Sequence, residues 1–180
     1  AGNEFIIIDN SEIGFEYSSE MVKSICANSS KTNCDQLITI EKRVGQYIDI
    51  NIWNKDGSVA EACGNASRCL AKLIFDEMGF EYIELRSKYC VHLCKKMDNG
   101  NVVVNMGQAN TEWKSIPTLV EVDNTISFNF NFNLKELKEA MHTSVINVGN
   151  PHIIFWFDCI DNIKPEAIGP LVENHKIFPE

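Results

Sequence analysis

Residues 54–69 read NKDGSVAEACGNASRC and join an alternating apolar segment to a helical pattern. From Ala66 the apolar residues recur at helical spacing as far as Met78, and Gly79 follows as a residue suited to ending a helix. We predict that Asn65 caps this helix, since asparagine is a preferred N-cap residue. Because the pattern is apolar over more than half of its circumference, we expect neighbouring elements to enclose the helix.

Cys63 lies just ahead of this helix in the sequence. Free backbone N–H groups and the positive end of a helix dipole favour a thiolate at such a position. The same N–H groups are suited to holding a carboxylate. The position therefore indicates a nucleophile or a base beside an anion site. A buried structural cysteine in a strand-to-helix turn is the alternative, because free cysteine is among the most buried residue types.

Length, composition and charge restrict the class of protein. The 180 residues are enough for one substantial domain or two small ones, and 44% hydrophobic with 23% charged residues is typical of a soluble globular chain. A net charge of −9 argues against nucleic acid or anionic membranes as main partners. No apolar run approaches the roughly 20 residues that span a bilayer. The seven irregularly spaced cysteines favour reduced thiols in the cytoplasm over a disulfide framework.

Strands and helices are predicted throughout the chain, which indicates the α/β class. Strands are predicted at 5–8, 37–40, 47–53, 58–61, 82–85, 89–95, 102–106, 118–122, 126–132, 145–148 and 153–157. Further helices are predicted at 20–27 with Ser19 as cap, at 134–141 with Asn133 as cap, and at 163–174 with a break at Gly169-Pro170. Periodicity is lost between residues 106 and 117, so we place a domain boundary near residue 112, giving domains 1–112 and 113–180.

Cys90, His92 and Cys94 lie on one face of a predicted strand. Zinc takes such residue types. Alternate side chains of a strand are about 6.5–7 Å apart, which suits two ligands better than three. We therefore predict half-buried strand residues and no metal site, and a metal-binding or interaction module stays as an alternative function.

The segment 149–152, GNPH, places a rigid turn before an apolar strand. Asn150 offers hydrogen-bond donors and acceptors, and His152 is of the type that titrates near neutrality. A turn followed by a structural histidine at a strand end is the simpler interpretation.

Four motifs resemble those of the diaminopimelate epimerases, in that family's order and over nearly the whole chain. They are 2–5 (GNEF), 35–37 (DQL), 54–69, and 149–152 followed by Gly169-Pro170 and 178–180 (FPE). These enzymes are cofactor-independent isomerases of bacterial lysine and cell-wall biosynthesis. The context Cys63-Gly64-Asn65 separates the chain from the related proline racemases, where histidine commonly replaces Asn65.

The resemblance implies two pseudo-symmetric α/β domains, each with a curved, mainly antiparallel sheet around a central helix. It implies a site between them with one cysteine from each, where one thiolate removes the α-proton and the other thiol protonates the opposite face. Cys63 maps to the first cysteine and His152 to a histidine that tunes the ionisation of the pair. Substrate-binding positions map to Asn3, Gln36, Asn54, Gly64, Asn65 and Asn150. The implied substrate is a small diamino dicarboxylate, and the sequence leaves the oligomeric state open, a homodimer included.

The chain departs from the family's pattern at several points. Glu4 stands where the family usually has aspartate, Ala66-Ser67 stands where it commonly has Gly-Ala, and a usual glycine is missing from 87–90. The family's second catalytic cysteine lies beyond residue 180, so we expect an incomplete second domain and no epimerisation by these 180 residues alone. A one-cysteine enzyme with Cys63 as nucleophile and His152 as base is the remaining alternative.

Overall fold

A computed structural model describes residues 2–28, 34–119, 121–128 and 132–178. It divides the chain into unit 1, Ala1–Gly107, and unit 2, Gln108–Glu180. The assignment of domains to 1–112 and 113–180 stays a prediction. Within the described ranges, none of the helices has the length and apolar character needed to cross a membrane.

The described residues of unit 1 form a six-stranded mixed sheet with two helices. Its strands follow one another in space as in sequence: β1 (Phe5–Asp9), β2 (Gln36–Val44), β3 (Tyr47–Asn54), β4 (Tyr82–Arg86), β5 (Val91–Lys96) and β6 (Val102–Asn105). The pairs β1–β2 and β3–β4 are parallel, whereas the other three pairs are antiparallel. Each parallel pair needs a crossover connection. Helix α1 (Ser19–Ala27) supplies the first and helix α2 (Gly64–Met78) the second.

The alternation of β3 decides which face of the sheet receives α2. Ile50 and Ile52 pair with Ile40 and Ile38 of β2, so four isoleucines point to one side. Helix α2 packs against this face, and its contribution to the buried cluster is Ala66, Leu70, Ala71, Ile74 and Phe75. Helix α1 lies in a separate cluster with Leu37, which points to the opposite face of β2. The alternation predicted for residues 47–53 is therefore confirmed.

Helix α2 begins two residues earlier than predicted, and its cap differs. The N-cap is Cys63, whose Sγ accepts a hydrogen bond from the N–H of Ala66 at 3.4 Å. The prediction of Asn65 as cap was wrong because a cysteine sulfur fills the role of the usual side-chain oxygen. The predicted end is confirmed, with Gly79 in the left-handed conformation at φ 70°.

The expectation that neighbouring elements enclose α2 was wrong. Leu70 is fully buried, whereas Leu73 is 38% exposed and Cys69 and Met78 are exposed as well. The helix covers one face of one sheet, so the residues on its far side point to solvent. An apolar stripe in the sequence shows which residues of a helix are apolar. It does not show how many other elements pack against the helix.

Two further details of unit 1 differ from the prediction. The cap of α1 is Ser18, whose Oγ accepts from the N–H of Met21 at 3.3 Å, and Ser19 is already helical. The predicted strand 58–61 is reduced to an isolated bridge between Val59 and Trp53.

In the part of unit 2 that the structure describes, there are an antiparallel pair of strands and one α-helix. The elements are the 3₁₀-helices Trp113–Ser115 and Lys135–Leu137, the strands β7 (His142–Asn147) and β8 (Pro151–Trp156), and the helix α3 (Pro165–Glu173). Helix α3 runs through Gly169 and Pro170 without the predicted break, since Ile168 and Val172 pack into the core of this unit.

Three predicted elements of unit 2 need correction. The helix predicted at 134–141 is only a 3₁₀ turn, and Asn133 has φ 56° and is not its cap. The described residues of 118–122 form no strand, nor do residues 126–128, and the rest of 126–132 falls largely outside the described ranges. Weak periodicity over short segments does not separate strand from turn.

Two leucines of α2 provide a direct test of this packing. Leu70→Ala should lower the free energy of unfolding by about 2–5 kcal/mol, because it leaves a cavity in a fully buried site. Leu73→Ala removes the same atoms from a partly exposed site and should cost about 1 kcal/mol or less. Urea unfolding of both variants measures the difference, and equal losses would contradict the assignment of the buried face.

Candidate functional site

Three of the predicted substrate-binding residues meet at one edge of the sheet. Asn3 precedes β1, Gln36 begins β2, and Asn54 ends β3. Because β1 runs parallel to β2 and β3 antiparallel to it, the start of β1, the start of β2 and the end of β3 share an edge. The register places Gln36 between Phe5 and Asn54. Positions distant in the sequence thus become neighbours through strand direction alone.

Asn65 joins the start of α2 to this edge. Its Nδ2 donates a hydrogen bond to Oδ1 of Asn3 at 2.8 Å, and Arg68 donates to its Oδ1. Asp35 holds the other side of Asn3, accepting from its Nδ2 at 3.3 Å and from the N–H of Glu4 at 2.9 Å. The side chain of Asn65, predicted as a helix cap, instead fixes the helix start to the first strand.

A second chain of hydrogen bonds leaves Gln36. Its Nε2 donates to Oδ1 of Asn54 at 3.0 Å, and Nδ2 of Asn54 donates to Oγ of Ser58 at 3.0 Å. Ser58 in turn donates to Asp56, and these hydrogen bonds lower the pKa of the Asp56 carboxyl. Gly57 has φ 80°, and a Cβ there would overlap the carbonyl group of Ser19, so only glycine fits the turn.

Cys63 is partly exposed and has extended backbone geometry, with φ −150° and ψ 102°. The following Gly64 lies against Met106, whose sulfur would be 3.1 Å from an added Cβ. A side chain at position 64 would therefore have to displace Met106. A thiol, the N–H groups of a helix start and several neutral amides then lie in one unit, a set that can bind a carboxylate and exchange a proton.

Two predicted residues lie in unit 2. Asn150 stands in the turn between β7 and β8, and His152 is an exposed residue of β8. The Nδ1 of His152 lies 2.9 Å from the carbonyl oxygen of Asn150. A carbonyl oxygen only accepts, so this contact requires a proton on Nδ1, which in a neutral ring leaves Nε2 as the acceptor. The six other predicted site residues lie in unit 1.

His92 and Cys94 lie in β5 and are buried in unit 1, whereas Cys90 precedes the strand and is half-buried. Cys94 is buried beneath α2, and burial raises the pKa of its thiol to about 12. His92 is also buried, which lowers its pKa below the ordinary value, and its Nδ1 lies 2.8 Å from Oγ of Ser67. Throughout the part of the chain that the structure describes, no three histidine, cysteine or acidic side chains are grouped to hold a metal ion.

Several residues that shape the site were not among the predicted site residues. Asp35 and Ser58 complete the hydrogen bonds of the predicted amides, Met106 lies against Gly64, and Ser67 in the first turn of α2 meets His92. Asp35, Ser58 and Ser67 lie within the motifs quoted above, and the turn sequence Asp56-Gly57-Ser58 points to Ser58 as well, since aspartate and serine commonly bond to backbone groups in turns.

Solved structures of low sequence identity share the fold. A putative phenazine biosynthesis PhzC/PhzF protein from Clostridium difficile (strain 630) matches with a TM-score of 0.58 at 12% identity, over 96% of this chain and 60% of that one. A predicted epimerase from Pseudomonas aeruginosa matches with a TM-score of 0.56 at 11% identity, over 95% and 62%. The fold is thus of the α/β class found in PhzF-type proteins and epimerases, here with a cysteine at the start of the central helix.

The sequence narrows this class to one family. The model of the diaminopimelate epimerase family matches residues 1–112. The diaminopimelate epimerase of Wolbachia sp. subsp. Drosophila simulans (strain wRi) is 36% identical over 99% of this chain and 64% of its own length. That of Pelagibacter ubique (strain HTCC1062) is 35% identical over 99% and 65%. The chain belongs to the diaminopimelate epimerase family and spans about two thirds of the length of these relatives.

Buried His92 makes stability depend on pH. Its folded-state pKa lies below the ordinary 6.5, so the unfolded chain takes up a proton first as the pH falls. The free energy of unfolding should therefore decline below about pH 6.5, with a slope of at most about 1.4 kcal/mol per pH unit from this group. Urea unfolding at pH 7.5, 6.5 and 5.5 measures it.

His92→Gln is the matched variant for this measurement, because glutamine can still bond to Ser67 but does not titrate. Carboxyl groups such as Asp9 and Asp76 titrate in both proteins, so the difference between the two curves isolates His92. Identical pH dependence in the two proteins would show that His92 does not contribute.

Proposed function

We propose that this chain forms part of an enzyme that epimerises LL-2,6-diaminopimelate to the meso form, a step of lysine and peptidoglycan-precursor biosynthesis. Membership of the family supports the reaction class. The observation that carries the proposal is the position of Cys63 as N-cap of α2, in the unit whose sheet edge gathers Asn3, Gln36 and Asn54. The same edge is joined to the helix start by Asn65.

The chemistry needs a base that is strong, positioned and shielded, because an amino-acid α-proton is only weakly acidic. In the proposal the thiolate of Cys63 removes this proton. The first N–H groups of a helix have no intrahelical acceptor, so those of Gly64 and Asn65 are suited to the α-carboxylate, where charge develops in the transition state. A second thiol, from the part of the relatives' length that this chain does not span, returns a proton to the opposite face.

Neutral side chains suit the rest of the substrate. Asn3, Gln36, Asn54, Asn65 and Asn150 offer amide donors and acceptors to the distal ammonium and carboxylate without adding charge near a thiolate. His152, with Nε2 as acceptor, is the proposed partner in adjusting the ionisation of the cysteine pair. The reaction needs no cofactor, and the proposal places it in the cytoplasm and leaves the oligomeric state open.

Solvent deuterium incorporation tests the role of Cys63. In a protein that carries this chain together with the remaining third of its relatives' length, deuterium should enter the α-position of diaminopimelate. Cys63→Ser should reduce the rate by at least about 100-fold, the lower end of what a general acid or base contributes. Cys69→Ser, which changes an exposed thiol on the same helix, should leave the rate within about twofold. Unchanged exchange in Cys63→Ser would exclude Cys63 from proton transfer.

The 180 residues alone test the requirement for a second cysteine. We expect them to produce no meso isomer from the LL isomer, because Cys63 can serve only one face of the α-carbon. Chiral chromatography of the diaminopimelate after incubation measures this. Turnover by the isolated chain would contradict the two-cysteine mechanism and favour a single-cysteine enzyme.

A further inference from the structure

Strand β5 and Cys90, the residue just before it, contact the segment around Cys63 at two points. Cys90 donates from Sγ to the carbonyl oxygen of Glu61 at 3.4 Å, and His92 meets Ser67 at 2.8 Å. Glu61 precedes Cys63 by two residues, and Ser67 follows it by four. The segment 90–92 therefore contacts both the backbone before the thiol and the helical turn after it.

The contact between Ser67 and His92 is fully enclosed. Ser67 is 0% exposed and His92 is 2% exposed. A buried polar group without a partner costs free energy, so each of these side chains needs the other. A shift of the helix start along β5 would leave both groups unpaired. The pair therefore fixes the register of α2 against the strand more sharply than apolar packing does.

Ser67 also transmits this restraint to the cysteine. Its N–H donates to the carbonyl oxygen of Cys63 at 2.9 Å, the first hydrogen bond of the helix ladder. The N–H of Ala66, one residue earlier, donates to Cys63 Sγ. A serine inside a helix often bonds back to its own backbone. Here its hydroxyl reaches a different element instead, so the orientation of the first turn depends on β5.

We propose that Ser67 and His92 are positioning residues that hold the first turn of α2 so that the Ala66 N–H stays directed at Cys63 Sγ. Cys90 supports the same segment through Glu61. The inference depends on the proposed function for its catalytic meaning, since Cys63 is there the proton-transferring group. The positioning role accounts for the cysteines and histidine of segment 90–94 without a metal. This segment supports the turn that carries the Cys63 thiol.

Alkylation of individual cysteines by iodoacetamide tests this in the 180-residue chain without substrate. Peptide mass spectrometry follows each thiol separately. Ser67→Ala removes the hydroxyl and little volume, so the chain should fold, as far-UV circular dichroism would verify. Cys63 should then react about two- to fivefold more slowly, because its thiolate loses a directed N–H donor at a helix start. His92→Phe should act in the same direction.

Ser67→Thr retains the hydroxyl and should restore the rate at Cys63 to within about 1.5-fold of the unchanged chain. Cys69 and Cys159 are exposed and serve as internal references whose rates should not change. A Cys63 rate unchanged by Ser67→Ala would overturn the proposal, as would equal slowing by Ser67→Thr. Faster alkylation of buried Cys94 in Ser67→Ala would also overturn it, by showing general loosening.

These outcomes are separate from those of the deuterium experiment. If Cys63 is alkylated at the normal rate in Ser67→Ala and deuterium exchange depends on Cys63, the positioning role is contradicted and the epimerase reaction is supported. If alkylation of Cys63 is slowed but no deuterium exchange occurs, the positioning role is supported and the proposed reaction is contradicted.

Discussion

The packing of α2 on the apolar face of the unit 1 sheet is the constraint on which the rest of unit 1 depends. Ile38, Ile40, Ile50 and Ile52 belong to one buried cluster with the apolar side of the helix, and the helix lies nearest to β4, β5 and β6. Burial of this size is the dominant favourable term in folding. It sets where the helix lies and therefore where its first residue, Gly64, and its cap, Cys63, stand relative to the strand ends.

Hydrogen bonds then fix the start of α2 relative to the strand ends that carry the predicted site residues. Strand direction brings Asn3, Gln36 and Asn54 to one edge, and Asn65 ties the helix start to it. The buried Ser67–His92 pair adds a restraint from the other side of the helix start. Apolar packing tolerates small shifts, whereas hydrogen bonds between buried groups do not. Together they hold the thiol of Cys63 at the start of α2, in the unit whose sheet edge carries the predicted amides.

The sequence predicted unit 1 well and unit 2 poorly, for a physical reason. In β3 every second residue from Ile48 to Ile52 is apolar, and α2 carries its apolar residues at helical spacing over fifteen residues, so the two periods are distinct. The segment 134–141 is short and has little burial to support a helix, and it forms only one 3₁₀ turn. Pro170 suggested a helix break, yet burial of Ile168 and Val172 holds α3 together.

What the sequence by itself determined is the set of groups: a cysteine before a helix, amides near strand ends, and motifs that identify the family. Local pattern and residue chemistry are enough for these. Only the tertiary structure decided that Cys63 rather than Asn65 caps the helix, that Asn65 reaches Asn3, and that His92 meets Ser67. The last two contacts join positions 62 and 25 residues apart, and their geometry follows from how strands and helix pack, which no local pattern encodes.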